Sequence, residues 1–342
     1  MITMKRNNYI DIVKGFAMLM VVCGHCIQYG YRIEYLNSRN FCFNPVYMLI
    51  YSFHMPLFAL ISGYLFYYTA EKRTPCQVIR NRITSLVVPL VTFSTIHFIR
   101  NGEFLAGGLE KNIVQLLKQY VGTIIGTLWF LWVLIFCSVI IMIQKYIFRE
   151  RIWSYFVIIP IFFVIPDSYN MKYLKYMYPF FFAGYLWNRY DGALRLKKFK
   201  RSWLLGISAL AFGILLLGMN YDTYIYNSGF TILGKVNWKA QVYHDLHRWA
   251  IGFAGCIFVC LVIEQMMKCI FVPGMLADKL FTTLGKCSLG LYMFQGFFIQ
   301  GIIVVALRNY GQSFPGYVVI VETIAVSVAC VVVTKLVKKA NY

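Results

Sequence analysis

Charge is what this chain has least of. Only 13% of its 342 residues are Asp, Glu, Lys or Arg, about half the ~25% of an ordinary soluble domain. Acidic residues are the scarcest, with 13 Asp and Glu against 33 Lys and Arg. So few charges exclude a soluble globular fold, and no soluble domain is expected anywhere in 1–342. No internal repeat at a solenoid period and no low-complexity tail is present. The ten cysteines show no spacing of a secreted disulfide framework. Cys137, Cys256, Cys260, Cys287 and Cys330 lie inside apolar runs, where a thiol behaves as a small buried hydrophobe. Cys23-Gly24-His25-Cys26 has the look of a metal or redox motif. It sits in an apolar run, however, and no second Cys/His pair at zinc spacing follows, so no metal is expected.

What the chain does have is apolar length. Apolar residues make up 60% and aromatics 18%, and runs of about 20 apolar residues, the length of a membrane span, recur throughout. Ten spans are predicted: 10–30, 43–67, 83–100, 121–143, 152–166, 175–188, 202–219, 248–267, 284–307 and 316–337. Pro160 and Pro166 bound the fifth, which reads as broken or re-entrant. With the N-terminus inside, the inner segments hold nearly twice as many Lys and Arg as the outer ones, which is the bias of cytoplasmic loops. The expected fold is all-α: a single-domain, polytopic transmembrane helical bundle of about ten spans, both termini cytoplasmic. Lys5 and Arg6 precede an apolar stretch, but Lys14 and His25 interrupt it and no cleavage site follows, so it reads as a retained first span. The net charge of +20 sits in short loops as an orientation signal, so nucleic acid is not an expected partner.

Ionisable residues at membrane depth cost a few kcal/mol each and mark function by default. The first span gathers three. Lys14 and His25 are eleven residues apart, three turns plus about 20°, so they share a face about 16 Å apart along the axis. Asp11 lies one turn before Lys14, within reach of it. The plain alternative is an interfacial pair with Lys14 snorkelling to headgroups and His25 a satisfied core residue. In the second span, His54 stands two residues before Pro56, whose missing N–H frees a carbonyl that only a protein- or water-lined site tolerates. Ser62-Gly63 follows and favours close helix packing. Imidazole is the usual base for activating a hydroxyl. Two such rings point to transfer chemistry or proton coupling. His244 and His247 share a face beside Arg248 at an outer mouth, and read more readily as an interfacial cluster than as a metal or acceptor site. Glu264 and Glu322 lie in or near late spans without an assigned role.

These residues resemble a known family. Tyr9-Ile-Asp11-Ile-Val-Lys14-Gly15 followed by Val21-Val-Cys-Gly24-His25 resembles the first-span signature of membrane-bound acyltransferase family 3, a basic residue, ten residues, then histidine. Lys14 stands where the family more often has Arg. Tyr51-Ser-Phe-His54-Met-Pro-Leu-Phe-Ala-Leu-Ile-Ser62-Gly63 is similar to its second-span motif, most of all to the fucose 4-O-acetylase-like branch. Arg80-Asn-Arg82 resembles the basic loop entering the third span, with Ser85 at a position usually basic. Leu128-Trp129-Phe130-Leu131 resembles the fourth-span motif, and Pro179-Phe-Phe-Phe-Ala-Gly184 a mid-chain segment. Leu284-Gly-Lys-Cys-Ser288-Leu-Gly-Leu-Tyr292-Met-Phe-Gln295 resembles a late motif that commonly ends in histidine. Gln295 replaces it here.

The resemblance implies transfer of an acyl group, usually acetyl from cytoplasmic acetyl-CoA, to a hydroxyl of a sugar in a polysaccharide, lipid-linked glycan or secreted glycoside. It implies a bacterial inner-membrane enzyme that works within the bilayer. His25 is the expected base or acyl carrier, with Lys14 and Asp11 completing the catalytic set. Arg80 and Arg82 are expected on the donor's phosphates, where Arg's planar fork suits the geometry, although simple orientation charges would look the same. His54, Trp129, Ser62 and Gln295 are expected to line the substrate cavity. A glycan exporter or proton-coupled transporter is the alternative, against which no inverted repeat is seen. A scaffold without chemistry would gain little from Lys14 and two in-span histidines.

Overall fold

The structure is a computed structural model that describes residues 8–30, 40–100, 113–149, 151–190, 199–233, 237–303 and 316–340. Lys5, Arg6 and the last residues of the predicted span 284–307 lie outside these. Among the described residues the regular structure is helical, with no strand. In chain order the helices are α1 (Asn8–Gly30), α2 (Pro45–Lys72), α3 (Pro75–Arg82), α4 (Val88–Arg100), α5 (Ile113–Gly126), α6 (Trp129–Tyr146), α7 (Ile152–Val164), α8 (Met171–Arg189), α9 (Arg201–Leu217), α10 (Trp238–Met266), α11 (Leu276–Lys286), α12 (Ser288–Phe298) and α13 (Gly316–Ala340). Short 3₁₀ turns cover Asn40–Phe43 and Tyr221–Thr223, and π turns cover Ile83–Val87 and Ile299–Ile303.

Among the described residues six helical stretches are long and apolar enough to cross a membrane: Asn8–Gly30, Pro45–Lys72, Pro75–Arg100, Trp129–Tyr146, Trp238–Met266 and Gly316–Lys339. Ile152–Val164 and Arg201–Leu217 are apolar but shorter. Two predicted spans are divided. Residues 121–143 form the end of α5 and most of α6, because the chain turns at Leu128, which takes a left-handed φ of 49°. Residues 284–307 begin at the end of amphipathic α11, and a break at Cys287 precedes α12.

Local chemistry sets the helix ends. Thr74 caps α3 through a reciprocal pair with Gln77, and Pro75 occupies the first turn, where its missing N–H costs nothing. Pro89 gives the Ser85 carbonyl no donor. The chain takes a wider π turn there, in which the Val88 N–H bonds the Ile83 carbonyl.

The chain forms two compact units, residues 1–61, 197–221 and 250–342, and residues 62–196 and 222–249. In the first, α1 packs on α11, α12 and α13. A β-carbon on Gly15 would sit 2.0 Å from the Phe281 carbonyl oxygen, and one on Gly285 would sit 1.9 Å from that of Asp11. Each helix therefore contributes the glycine that admits the other's backbone. In the second unit α6 packs on α8, and Gln144 donates to Tyr178 at 2.8 Å and to the Ser154 carbonyl at 3.0 Å. Lys145 pairs with Glu71 at 2.5 Å. A β-carbon on Gly63 would fall 1.8 Å from the Phe181 carbonyl oxygen, so Gly63 serves close helix packing.

Candidate functional site

The first unit brings two predicted histidines together. His25 lies five residues from the end of α1 and His54 in the first half of α2. Tyr51 links them, meeting the His54 ring and abutting Gly24, the residue before His25. His54 is 3% exposed. Its Nδ1 lies 2.7 Å from the Ile50 carbonyl. A carbonyl only accepts, so Nδ1 carries the proton and Nε2 keeps its lone pair. Tyr51 meets the His54 ring edge-on at 4.6 Å and stacks on Tyr47 at 3.8 Å. A β-carbon on Gly24 would fall 2.7 Å from Tyr51 Cε2. The glycine before His25 is thus what lets α1 approach the aromatic wall beside His54.

His25 is densely surrounded by protein, yet keeps accessible surface. That combination suits a ring bordering an enclosed space rather than one packed solid. Tyr29 lies 6.3 Å from it, centroid to centroid. The Gln295 side chain is within hydrogen-bonding range of the ring. Gln295 is buried, and its Oε1 has no hydrogen-bond partner among the described residues. Below Tyr29, Gln300 donates to the Tyr29 hydroxyl.

Glu322 was not assigned from the sequence, yet it joins this neighbourhood. It is buried on α13, and its charge reaches Cys26, the residue after His25. Its Oε1 is buried with no hydrogen-bond partner among the described residues. The signal available in the sequence was a lone carboxylate in an apolar helix, which a helix-by-helix reading cannot connect to α1.

At the other end of α1, Asp11 is buried and Lys14 half-buried. This end is fixed by α11. Asn8 donates to Asp278 at 2.5 Å and accepts from Thr282 at 2.9 Å. The Gly274 N–H, at 3.1 Å, and the Asn8 amide hold the Asp278 carboxyl below its ordinary range. Gly274 itself adopts φ +93°, open to glycine without strain.

The remaining predicted residues belong to the second unit. Arg80 is exposed on α3. Arg82 turns over the Phe66 ring, 4.5 Å from guanidinium carbon to centroid, and its Nε is buried without a partner among the described residues. The two arginines therefore occupy different environments. Ser62 is half-buried beside Gly63. Trp129 is half-buried at the first turn of α6, against Tyr173 at 4.5 Å.

Sequence reasoning also missed a buried polar network in this unit. Lys175 and Arg248 read as outer-loop orientation charges, but they are 0% and 2% exposed. Lys175 pairs with Asp167 at 2.6 Å and donates to the Ile165 and Phe230 carbonyls. Asp167 in turn accepts the Phe230 N–H. Arg248 pairs with Asp245 at 2.9 Å and donates to the carbonyls of Thr223, Asp222 and Tyr224 and to Ser228. The polar segment from 222 to 230 is therefore tied down by its carbonyls. His247 is buried and His244 half-buried beside this network. Among the described residues no three His, Cys, Asp or Glu are grouped to hold a metal ion.

Comparison with known proteins shows the family. The family model described as an acyltransferase domain, of the acyltransferase family 3 type, matches residues 7–336. The nodulation protein NolL of Sinorhizobium fredii (strain NBRC 101917 / NGR234) is 26% identical over 329 residues, covering 95% of this chain and 86% of that protein. NolL of Mesorhizobium japonicum (strain LMG 29417 / CECT 9101 / MAFF 303099) is 28% identical over 300 residues, 86% of this chain and 77% of its own. No solved structure matches. With the family model covering nearly the whole chain and its first-span signature ending in the enclosed His25, the protein belongs to acyltransferase family 3 and is a multi-pass membrane acyltransferase.

Proposed function

We propose that this protein is an O-acetyltransferase that moves acetyl from cytoplasmic acetyl-CoA to a hydroxyl of a sugar in a surface or secreted glycan, at the bacterial inner membrane. The observation that carries the reading is the enclosed pair of imidazoles, His25 and His54, on neighbouring helices. A neutral imidazole within the membrane-embedded bundle is the group that deprotonation of a weakly acidic alcohol requires.

In the reaction, His25 takes the proton of the acceptor hydroxyl. The alkoxide oxygen forms its bond to the acetyl carbonyl carbon as the carbon–sulfur bond breaks. The departing thiolate receives the proton from the imidazolium, leaving CoA thiol and a sugar ester. In the two-step version His25 nitrogen first takes the acetyl group and then passes it to the hydroxyl. Either way the imidazolium or its acyl adduct needs acceptors nearby. Gln295, whose side chain reaches the ring and whose Oε1 is buried with no hydrogen-bond partner among the described residues, supplies one. His54, fixed by Ile50, orients the site.

Lys14 lies about 16 Å and Asp11 about 21 Å along α1 from His25, at 1.5 Å per residue. That spacing suits an extended pantetheine arm lying along one face of the helix. Exposed Arg80 offers a phosphate a planar, charge-assisted contact, and Arg82 has one unused donor. Ser62 and Trp129 complete the set of substrate-lining candidates.

The test is His25→Ala in purified, monodisperse protein with radiolabelled acetyl-CoA and a glycan acceptor. Acid–base catalysis by one group contributes about 10²- to 10⁴-fold, so acetyl transfer should fall by at least about 100-fold. Wild-type rates from the variant would remove His25 from the chemistry.

A further inference from the structure

The second unit carries an aromatic cluster with features that packing alone does not explain. Trp129 and Tyr173 lie 4.5 Å apart with their rings inclined by 31°. Tyr226 stands 5.9 Å from Tyr173 at 58°. Lys172 places its ammonium 5.2 Å from the Tyr173 ring. All three aromatic rings are half-buried, so each keeps an open surface.

Two of them, Trp129 and Tyr173, also have polar ends that no described residue takes. Buried Trp and Tyr normally find a partner for N–H or O–H. Trp132 donates to the Ile124 carbonyl and Trp249 to that of Tyr176. By contrast, the Trp129 indole and the Tyr173 phenol hydrogen-bond no described residue.

The backbone that presents them is strained and braced. Three non-glycine residues among those described have positive φ, and two of them lead into this cluster. Leu128, at 49°, immediately precedes Trp129, and Tyr169, at 51°, precedes the helix that delivers Tyr173. A large side chain in the left-handed region costs about 1–2 kcal/mol, and such strain collects at ligand clamps. Bracing holds it in place. The last carbonyls of α5 lack helical donors. Trp132 supplies one to Ile124 at 3.0 Å, and Asn170 supplies one to Ile125 at 2.7 Å. Arg248 fixes the segment carrying Tyr226 by bonding the Tyr224 carbonyl at 3.0 Å and Ser228 at 2.5 Å.

We propose that Trp129, Tyr173 and Tyr226 form a preorganised docking platform for a pyranose ring of the carbohydrate acceptor. The face of a sugar ring is a sheet of C–H bonds with partial positive charge, and the face of an aromatic ring is negative. Its rim is hydroxyl, which the free Trp129 N–H and Tyr173 O–H can bond. An interfacial aromatic belt would place single rings toward headgroups. It would not need rings inclined on one another and held by a strained, cross-bonded backbone. The identity of the occupant as acceptor rests on the proposed reaction, whereas the affinity for pyranose does not.

The experiment is saturation-transfer NMR on the full chain in nanodiscs, without acetyl donor, using maltotriose, cellotriose and 2′-fucosyllactose as probes. Wild-type protein should saturate the ring C–H protons of at least one sugar. Trp129→Ala and Tyr173→Ala should each weaken binding by about tenfold or more. If Trp129→Ala does not give monodisperse protein, Tyr226→Ala serves in its place. Binding that survives these changes unaltered, or no saturation of any sugar by wild-type protein, overturns the proposal. A protein that binds sugar through these rings but transfers no acetyl would sink the reaction and leave the platform standing. One that transfers acetyl but binds sugar independently of the rings does the reverse.

Discussion

Arg248 uses every part of its guanidinium inside the protein. Its three nitrogens serve Asp245, four backbone carbonyls and the Ser228 hydroxyl. Removing one partner of a buried pair strands the other charge at a cost of about 3–5 kcal/mol. Arg248→Leu is therefore expected to destabilise the protein by about that much. Thermal unfolding in detergent should show it as a clear drop in Tm, and an unchanged Tm would mean that the pair is dispensable. The sequence hid this role. Arg248 and Lys175 lie near span ends, where basic residues usually orient the chain, and a count of charges does not show which way a side chain turns. His25 was legible by contrast, because an eleven-residue step fixes its face relative to Lys14 whatever surrounds the helix. Glu322 and Gln295 could be seen only as polar residues in apolar runs. Their proximity to α1 depends on packing between segments nearly 300 residues apart.

The pairing of α1 with α11 is an element-scale feature with one weak point. A methyl group at Gly285 would lie 1.9 Å from the Asp11 carbonyl oxygen, and a backbone atom cannot rotate away. Gly285→Ala should force the two helices apart, costing about 1–3 kcal/mol as overpacking does. It should also displace Asp11 and Lys14. The matching measurements are unfolding temperature and the KM for acetyl-CoA. A stable variant with wild-type KM would show that the close approach is not needed. Helix breaks at this scale were only partly legible. Pro89 announces its π turn in the sequence. The turn between α5 and α6 is announced only by Gly126 at the end of α5, and the bend itself is made by a leucine at positive φ. Hydropathy therefore merged two helices into one span at 121–143.

At the scale of the whole molecule, orientation remains a prediction from the charge bias of the loops. Two free, exposed cysteines test it. Cys76 lies on α3 and Cys269 just after α10, both in segments expected to face the cytoplasm. A membrane-impermeant maleimide should label them in inside-out vesicles and not in right-side-out ones. Labelling of either from the outer face would reverse the expected topology for that segment. Against the expected ten spans, six stretches among the described residues are long and apolar enough by themselves to cross a bilayer.

The sequence alone determined that the chain lives in a membrane, that it belongs with acyltransferases, and that Lys14 and His25 share a helical face. Those properties are set by local quantities: apolar run length, residue spacing and helical period. Only the tertiary structure decided that His54 and Gln295 gather near His25 and that Glu322 comes near Cys26. It alone turned Lys175 and Arg248 inward, and it alone left the polar ends of Trp129 and Tyr173 unclaimed. Each of these depends on which surfaces meet through space, and a one-dimensional pattern carries no record of that.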